Sequence, residues 1–217
     1  MSDEVDSTEK TPKDTNHLRK AVSGACHRLQ EDYFKSPELP ACHQARAHLA
    51  ELRKTVSLDI MDNPLALEKV LFLMKEESVD ELAGKYDEPS KSERAAFVAF
   101  TLFGLHMQSA TKPMHETGVS FATACGKLYA RRSSESIKPR VDAMLMANNE
   151  KSRLIHIRSL VSLLRSEQLT CDYGWLASDL RSLMNPKKRP GVQLRWGRDF
   201  ALGFKTASNT ESETNNN

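Results

Sequence analysis

The sequence predicts an all-α protein, a helical bundle of about eight to ten helices in two packed subdomains. Three observations carry that reading. Apolar residues recur at helical spacing in segment after segment, no stretch alternates apolar and polar residues convincingly, and no Asn-Gly or Asp-Gly hairpin turn occurs. A chain of 217 residues, 39% hydrophobic, can bury a substantial core as one domain or two small ones.

The elements follow in order. A first helix is expected over about 16–34, entered through Thr15 or Asn16 as a cap and stopped before Ser36-Pro37. A second follows Pro40 over about 41–56. A third starts at Asn63-Pro64, with Asn as cap and Pro at the first helical position, and sets Leu67, Val70, Leu71 and Met74 on one face. A short amphipathic piece is expected near Val79–Tyr86. Ser90 or Ser92 then opens a helix that is hydrophobic nearly all round, with Phe97, Val98, Phe100, Leu102 and Leu105, so it belongs at the centre of the core. The stretch 108–117, broken by Pro113, reads as a loop with His106 and His115 at its margins. Four helices follow over about 119–131, 135–147, 151–166 and 172–184, and a last one, about 191–203, comes after Asn185-Pro186-Lys187-Lys188-Arg189-Pro190. Residues 1–14 and 206–217 are polar and nearly free of large apolar groups, and both read as disordered tails. The expected organisation is an N-terminal helical subdomain over 15–112 and a basic C-terminal helical subdomain over 113–205.

Charge is segregated between these halves. From Lys127 to Lys205 the chain carries 16 Lys and Arg against 7 Asp and Glu, whereas residues 1–126 carry 15 against 20. The overall balance of +2 therefore hides a basic later half. Such a surface attracts polyanions, because binding releases condensed counterions whatever the sequence of the partner. On helical wheels, Arg158 and Arg165 flank the stripe Ile157, Leu160, Val161 and Leu164, and Arg140 flanks Ile137, Val141, Met144 and Leu145. Val192, Trp196 and Phe200 point inward, leaving Arg195 and Arg198 on the outer side. Arg131-Arg132 ends a helix, where cations also complement the helix dipole. With aromatic residues at 6%, contacts to phosphates are expected rather than base stacking.

Other chemistry is missing from the linear pattern. There is no Walker A loop, no HExxH and no Gly-x-Ser-x-Gly. Acid pairs such as Glu76-Glu77 and Asp87-Glu88 sit in polar segments. Cys26, Cys42, Cys125 and Cys171 are far apart. The pairs Cys26-His27 and Cys42-His43 place their side chains about 100° apart on a helix, so neither metal nor cofactor is predicted. No run of about 18 apolar residues predicts a membrane span. The acidic start Met-Ser-Asp-Glu-Val-Asp does not read as a secretory leader, and a cytoplasmic protein with reduced thiols is expected.

Several segments, taken in order, carry a resemblance. They are Gly118-Val119-Ser120-Phe121, Ser134-Glu135-Ser136-Ile137-Lys138-Pro139-Arg140, the apolar run from His156-Ile157-Arg158 to Leu164, Asp172-Tyr173-Gly174-Trp175-Leu176 with Asp179-Leu180, and Trp196-Gly197-Arg198-Asp199-Phe200. Together with the earlier helix Arg46-Ala47-His48-Leu49-Ala50-Glu51-Leu52-Arg53-Lys54, they resemble the CasB family, the small subunit of the type I-E CRISPR surveillance complex Cascade. The match spans roughly 17–204. The chain departs from the family's Ser-Leu-Gly at Ser120-Phe121-Ala122 and from its Arg-Arg-Phe at Pro139-Arg140-Val141. Lys54 stands where the family has an arginine, keeping the charge but losing the planar fork.

The resemblance implies an all-α, two-subdomain, non-catalytic protein, with two copies in contact with each other and with other Cascade subunits. Its basic surfaces would steady the guide RNA, the target DNA and the displaced strand of the R-loop. From the resemblance and the wheel flanks, Arg53, Lys54, Arg131, Arg132, Arg140, Arg158, Arg195 and Arg198 are the expected phosphate contacts. The rival reading is a helical interaction scaffold whose basic face meets an acidic protein.

Overall fold

The computed structural model describes residues 17–57, 59–61, 63–75, 78–79, 82–84, 86–132 and 136–214, with side chains to Ser208 in the last segment. Among the described residues there are nine helices and no strand, only an isolated parallel bridge between His115 and Cys171. They are α1 (His17–Tyr33), α2 (Pro40–Lys54), α3 (Pro64–Leu73), α4 (Lys91–His106), α5 (Phe121–Arg132), α6 (Ile137–Met146), α7 (Glu150–Ser166), α8 (Tyr173–Leu183) and α9 (Arg189–Thr214). The expected caps Thr15 and Asn16 and the expected tail 1–14 lie outside the described residues, as does part of the expected piece at Val79–Tyr86.

Local chemistry sets most of the helix starts. Ser90 closes a capping box on α4: its hydroxyl accepts from the Glu93 N–H at 3.1 Å, and the Glu93 carboxylate accepts from the Ser90 N–H at 2.6 Å. Asn149 caps α7 through Ser152 N–H at 2.7 Å, and Asp172 caps α8 through Trp175 N–H at 2.9 Å. Pro64 does begin α3, but the expected Asn63 side-chain cap is not made, because that side chain turns back toward the Asp59 carbonyl.

α4 is the central helix, as its all-round apolar composition predicts. It packs against α1, α2, α3, α7 and α8, and Phe97, Phe100, Leu102 and Phe103 are buried. α1 buries Leu18, Ala21, Val22, Ala25, Cys26 and Leu29, a helix-period stripe lying on α8. α8, late in the chain, thus sits between two early helices. The stretch 108–117 is not a surface loop throughout. Met114 and His115 are buried, and Gln30 holds the His115 backbone at both ends, donating to its carbonyl at 3.0 Å and accepting from its N–H at 2.9 Å.

α5 and α9 approach backbone to backbone, because each carries a glycine at the crossing. A Cβ on Gly126 would lie 2.7 Å from the Phe204 nitrogen, and one on Gly203 would lie 2.9 Å from the Thr123 carbonyl carbon. α9 also runs on to Thr214, beyond the 206 boundary expected for a tail. Gly203 is the last glycine, no proline follows, and nothing after Lys205 breaks the helix.

Two consequences can be measured. Gly203→Val leaves no room for the α5 backbone and lowers the unfolding free energy by about 3 kcal/mol in urea titration. His106 is buried, and its Nδ1 lies 2.8 Å from the Tyr173 hydroxyl. Burial pushes its imidazole down to about 4, against a weaker upward pull from the Leu164 and Leu169 carbonyls. The unfolded chain therefore binds a proton between pH 6.5 and about 4 that the folded chain refuses, and stability falls as pH falls through that window. Going from pH 7 to pH 5 costs about 2 kcal/mol from this group, and His106→Gln flattens that dependence in a urea series.

Candidate nucleic-acid interface

α7 is the element around which most of the expected cations gather. Its buried stripe, Ile157, Leu160, Val161 and Leu164, fixes the helix on the core, so the flanking positions 158, 159, 165 and 166 turn toward the rim. The eight cations form three groups.

The first group shares one face. Arg140, from α6, donates Nη1 to the Ser159 hydroxyl at 3.1 Å. Arg132, from the end of α5, donates Nη2 to the Ser166 hydroxyl at 3.4 Å and pairs through Nε with Glu167 at 2.6 Å. Arg131 donates to the Glu167 carbonyl at 3.3 Å. Ser159 and Ser166 are seven residues apart, so they point the same way, about 10 Å apart along the axis. The hydroxyls thus hold guanidinium groups from two other helices in a row. Arg131 and Arg132 are exposed and Arg140 is half-buried.

The second group lies about 100° around α7. Arg158 reaches across to the Val56 carbonyl at 2.5 Å, two residues after the end of α2, the helix that closes on Arg53 and Lys54. Burial pushes the Arg158 guanidinium down, and its Nε has no partner. Arg158 thus serves as a structural strut as well as a charge. Lys54 is exposed and Arg53 is half-buried, and among the described residues neither side chain makes a hydrogen bond or ion pair. Arg165, seven residues from Arg158, is held by Gln108.

The third group departs from the wheel. Arg195 keeps 39% of its side chain exposed but, unlike Arg198, is not a free charge. It bonds the buried Asp179, whose other oxygen takes the Trp196 indole N–H at 2.6 Å. Burial raises the Asp179 carboxyl above its usual range, opposed by those two donors. Arg195 also lies 5.8 Å from the Trp175 ring centroid, and Arg19 lies 4.6 Å from it. The carboxylate holds Arg195, since a buried Asp179 without a cation would be costly. Arg198 stays exposed, with no hydrogen bond or ion pair among the described residues. Arg19 has no place in the sequence reading. It pairs with Asp172 at 2.9 Å, 153 residues away, and no local spacing signals that pairing.

Nothing else in the described residues gathers catalytic chemistry. The four cysteines are free and buried, burial pushes the Cys171 thiol up to about 12, and Cys26 and Cys125 are also driven upward, which leaves these thiols inert. Among the described residues, no group of three or more His, Cys, Asp and Glu side chains is placed to hold a metal ion, and no helix is long and apolar enough to cross a membrane. A different surface stands out on α3, where Leu65 and Phe72 are exposed beside a groove of about 300 Å³ lined by Leu52, Ala66 and Leu73.

Comparison with known proteins gives two matches. The family model described as CRISPR-associated protein Cse2 matches residues 48–200. The crystal structure of CasB from Thermobifida fusca is similar over 85% of this chain and 98% of that one, with a TM-score of 0.67 and 25% sequence identity. No curated protein sequence matches the chain significantly.

The three groups predict different costs of truncation. Lys54→Ala and Arg198→Ala change the unfolding free energy by less than about 0.5 kcal/mol, because neither side chain is bonded. Arg158→Ala leaves the Val56 carbonyl without its donor and costs about 1–3 kcal/mol in the same urea titration.

Proposed function

Because the chain belongs to the Cse2 (CasB) family of CRISPR-associated proteins, we propose that it is the non-catalytic small subunit of a type I-E Cascade complex and that its basic face holds nucleic-acid backbone. The observation that supports this most is the row of guanidinium groups along the Ser159–Ser166 face of α7. Arg140 and Arg131 come from two different helices yet share one edge with the Ser159 and Ser166 hydroxyls, and Arg132 beside them adds less because Glu167 already pairs with it. Arginine forks and hydroxyls are the usual partners of phosphate oxygens, and they carry no base code. A subunit of this kind is sequence-tolerant, as a complex that accepts any guide requires.

The energetics suit the role. Strand exchange in an R-loop is nearly balanced, so a few backbone contacts decide whether the displaced strand stays held. Arg53, Lys54 and Arg158 form a second edge for the same strand or for the guide–target duplex, and Arg198 adds an isolated cation on α9. Arg195 contributes less to this surface, since Asp179 already neutralises it. The exposed apolar face of α3 supports docking against protein neighbours in the complex, whether other subunits or a second copy. The setting is cytoplasmic, where guide RNA and invading DNA meet.

The test uses the assembled complex with guide RNA and target duplex. Arg131→Glu with Arg140→Glu weakens retention of the displaced strand at least about tenfold, or ~1.4 kcal/mol, measured by strand-protection footprinting across a salt series. Complex assembly stays intact. Unchanged retention at every salt concentration contradicts the assignment.

A further inference from the structure

The two histidines at the margins of the stretch 108–117 take no part in the basic rim, yet both are buried and both hold one residue, Tyr173. Tyr173 is the first residue of α8 and is itself buried. His106 of α4 meets its hydroxyl through Nδ1 at 2.8 Å, and His115 accepts its backbone N–H on Nδ1 at 3.1 Å. The two imidazole centroids stand 5.9 Å and 6.4 Å from the tyrosine ring centroid. One residue is thus gripped at its side-chain tip and at its backbone, by imidazoles from two different segments.

Each imidazole has a place for one proton and no more. His115 uses Nε2–H on the Ser23 hydroxyl of α1 at 2.9 Å, so its Nδ1 carries the lone pair that receives the Tyr173 N–H. A second proton there would point at an N–H, at the positive end of α8. For His106 both tautomers lead to the same result. If Nδ1 accepts from the tyrosine hydroxyl, protonating it breaks that bond. If Nδ1 donates while the hydroxyl turns to the Leu102 carbonyl at 3.4 Å, the second proton falls on Nε2, which is buried without a hydrogen-bond partner.

The surroundings do not offset this. His106 faces Tyr173 from α8 and the Arg165 cation from α7, which opposes a second charge, and the Leu164 and Leu169 carbonyls favour that charge only weakly. His115 faces Asp172, which favours the charged form, and His27 of α1, which opposes it, while Arg19 of α1 already pairs with Asp172. Cys26, Cys125 and Cys171, the thiols around Tyr173, are held neutral by burial. Burial outweighs the attractions at both rings, driving His106 down to about 4 and lowering His115 as well.

We infer that Tyr173 is an acid-operated latch, in which proton uptake by His106 and His115 together releases the start of α8 from α1 and α4. Both charges act against the same residue, so an opened latch takes up two protons that the closed one refuses. α8 packs on α1 and α4, so its release parts the early helices from the later ones and leaves the α5–α9 pair closed. The latch needs no bound strand, and it stands or falls apart from the role of the α7 face.

The experiment measures amide hydrogen exchange of the full-length chain from pH 7 to pH 5, corrected for the intrinsic pH dependence of exchange. It compares the wild type, His106→Gln, the double variant and His115→Asn, whose side-chain oxygen replaces Nδ1 as the acceptor. With an ordinary histidine value of about 6.5 in the opened state, one withheld proton raises the opening constant about 8-fold between pH 6 and pH 5, and two raise it toward about 60-fold. The wild-type amides 173–177 are therefore expected to open well over 8-fold more, each single variant up to about 8-fold, and the double variant to stay level. Amides of α5 and α9 are expected to keep their protection. Histidine nitrogen NMR of the wild type is expected to show His115 as the Nε2–H tautomer at pH 7 and both buried rings neutral at pH 6, a readout that no variant's folding affects. A wild-type rise of about 8-fold or less overturns the two-proton latch, as does a double variant that remains acid-sensitive. Loss of α5 and α9 protection in step with α8 makes the transition global and overturns it too. So does a His115 ring that carries its proton on Nδ1.

Discussion

Burying a carboxylate costs several kcal/mol unless donors surround it, so a fully buried aspartate dictates what must gather around it. Asp172 is such a residue. Its oxygens accept from Arg19 of α1 at 2.9 Å, from the Gly118 N–H at 3.0 Å and from the Trp175 N–H of α8 at 2.9 Å, and its own N–H donates to the Val119 carbonyl at 2.7 Å. One side chain thereby joins the first helix, the connection before α5 and the start of α8. Next to it, His115 takes the Tyr173 N–H on Nδ1, which leaves Nε2–H to donate to the Ser23 hydroxyl at 2.9 Å. Burial keeps this imidazole neutral by lowering its pKa, despite the nearby carboxylate. Gly174 completes the junction by letting α8 approach the Ser23 backbone of α1. α8 thereby lies between α1 and α4, and α4 also carries α7, so the cations on the flanks of α7 stand on the same central helix.

The cations themselves divide by what holds them. Arg19 and Arg195 are tied to buried aspartates and spend their charge on folding. Arg158 is tied to a backbone carbonyl, which keeps the charge but fixes the side chain. Among the described residues, Arg140 is tied only to a hydroxyl, and Lys54 and Arg198 make no hydrogen bond or ion pair. The proposed phosphate contacts are the cations that no carboxylate holds, because a guanidinium already committed to a carboxylate gains little from another anion. The later half of the chain is therefore basic in composition, but only part of that charge is available to a partner.

The helices were legible because their signals are local: Ser90 with Glu93, Pro64 after Asn63, and the stripes of α1, α4 and α7 need only neighbours in sequence. The end of α9 was misjudged for a related reason. A polar composition reads as a tail, yet without glycine or proline a helix already under way continues. The family resemblance located α5 to α9 in order, because those segments keep their spacing. The grouping of cations was legible only in part. Arg140 and Arg158 were rightly placed on helix flanks, but a wheel cannot show that Arg158 turns to Val56, nor that Asp179 pairs with Arg195. Such pairings join distant parts of the chain, so no single-helix pattern contains them.

The central claim is that single-stranded backbone lies along the Ser159–Ser166 face of α7. Its most direct test is photo-crosslinking within the assembled complex, using a displaced strand with a reactive group on successive phosphates and a guide RNA bound to its target. The account predicts peptide adducts that map to the segments carrying Arg131, Arg140 and Ser159. Adducts confined to α3, or a complex in which another protein subunit covers that face of α7, would contradict it.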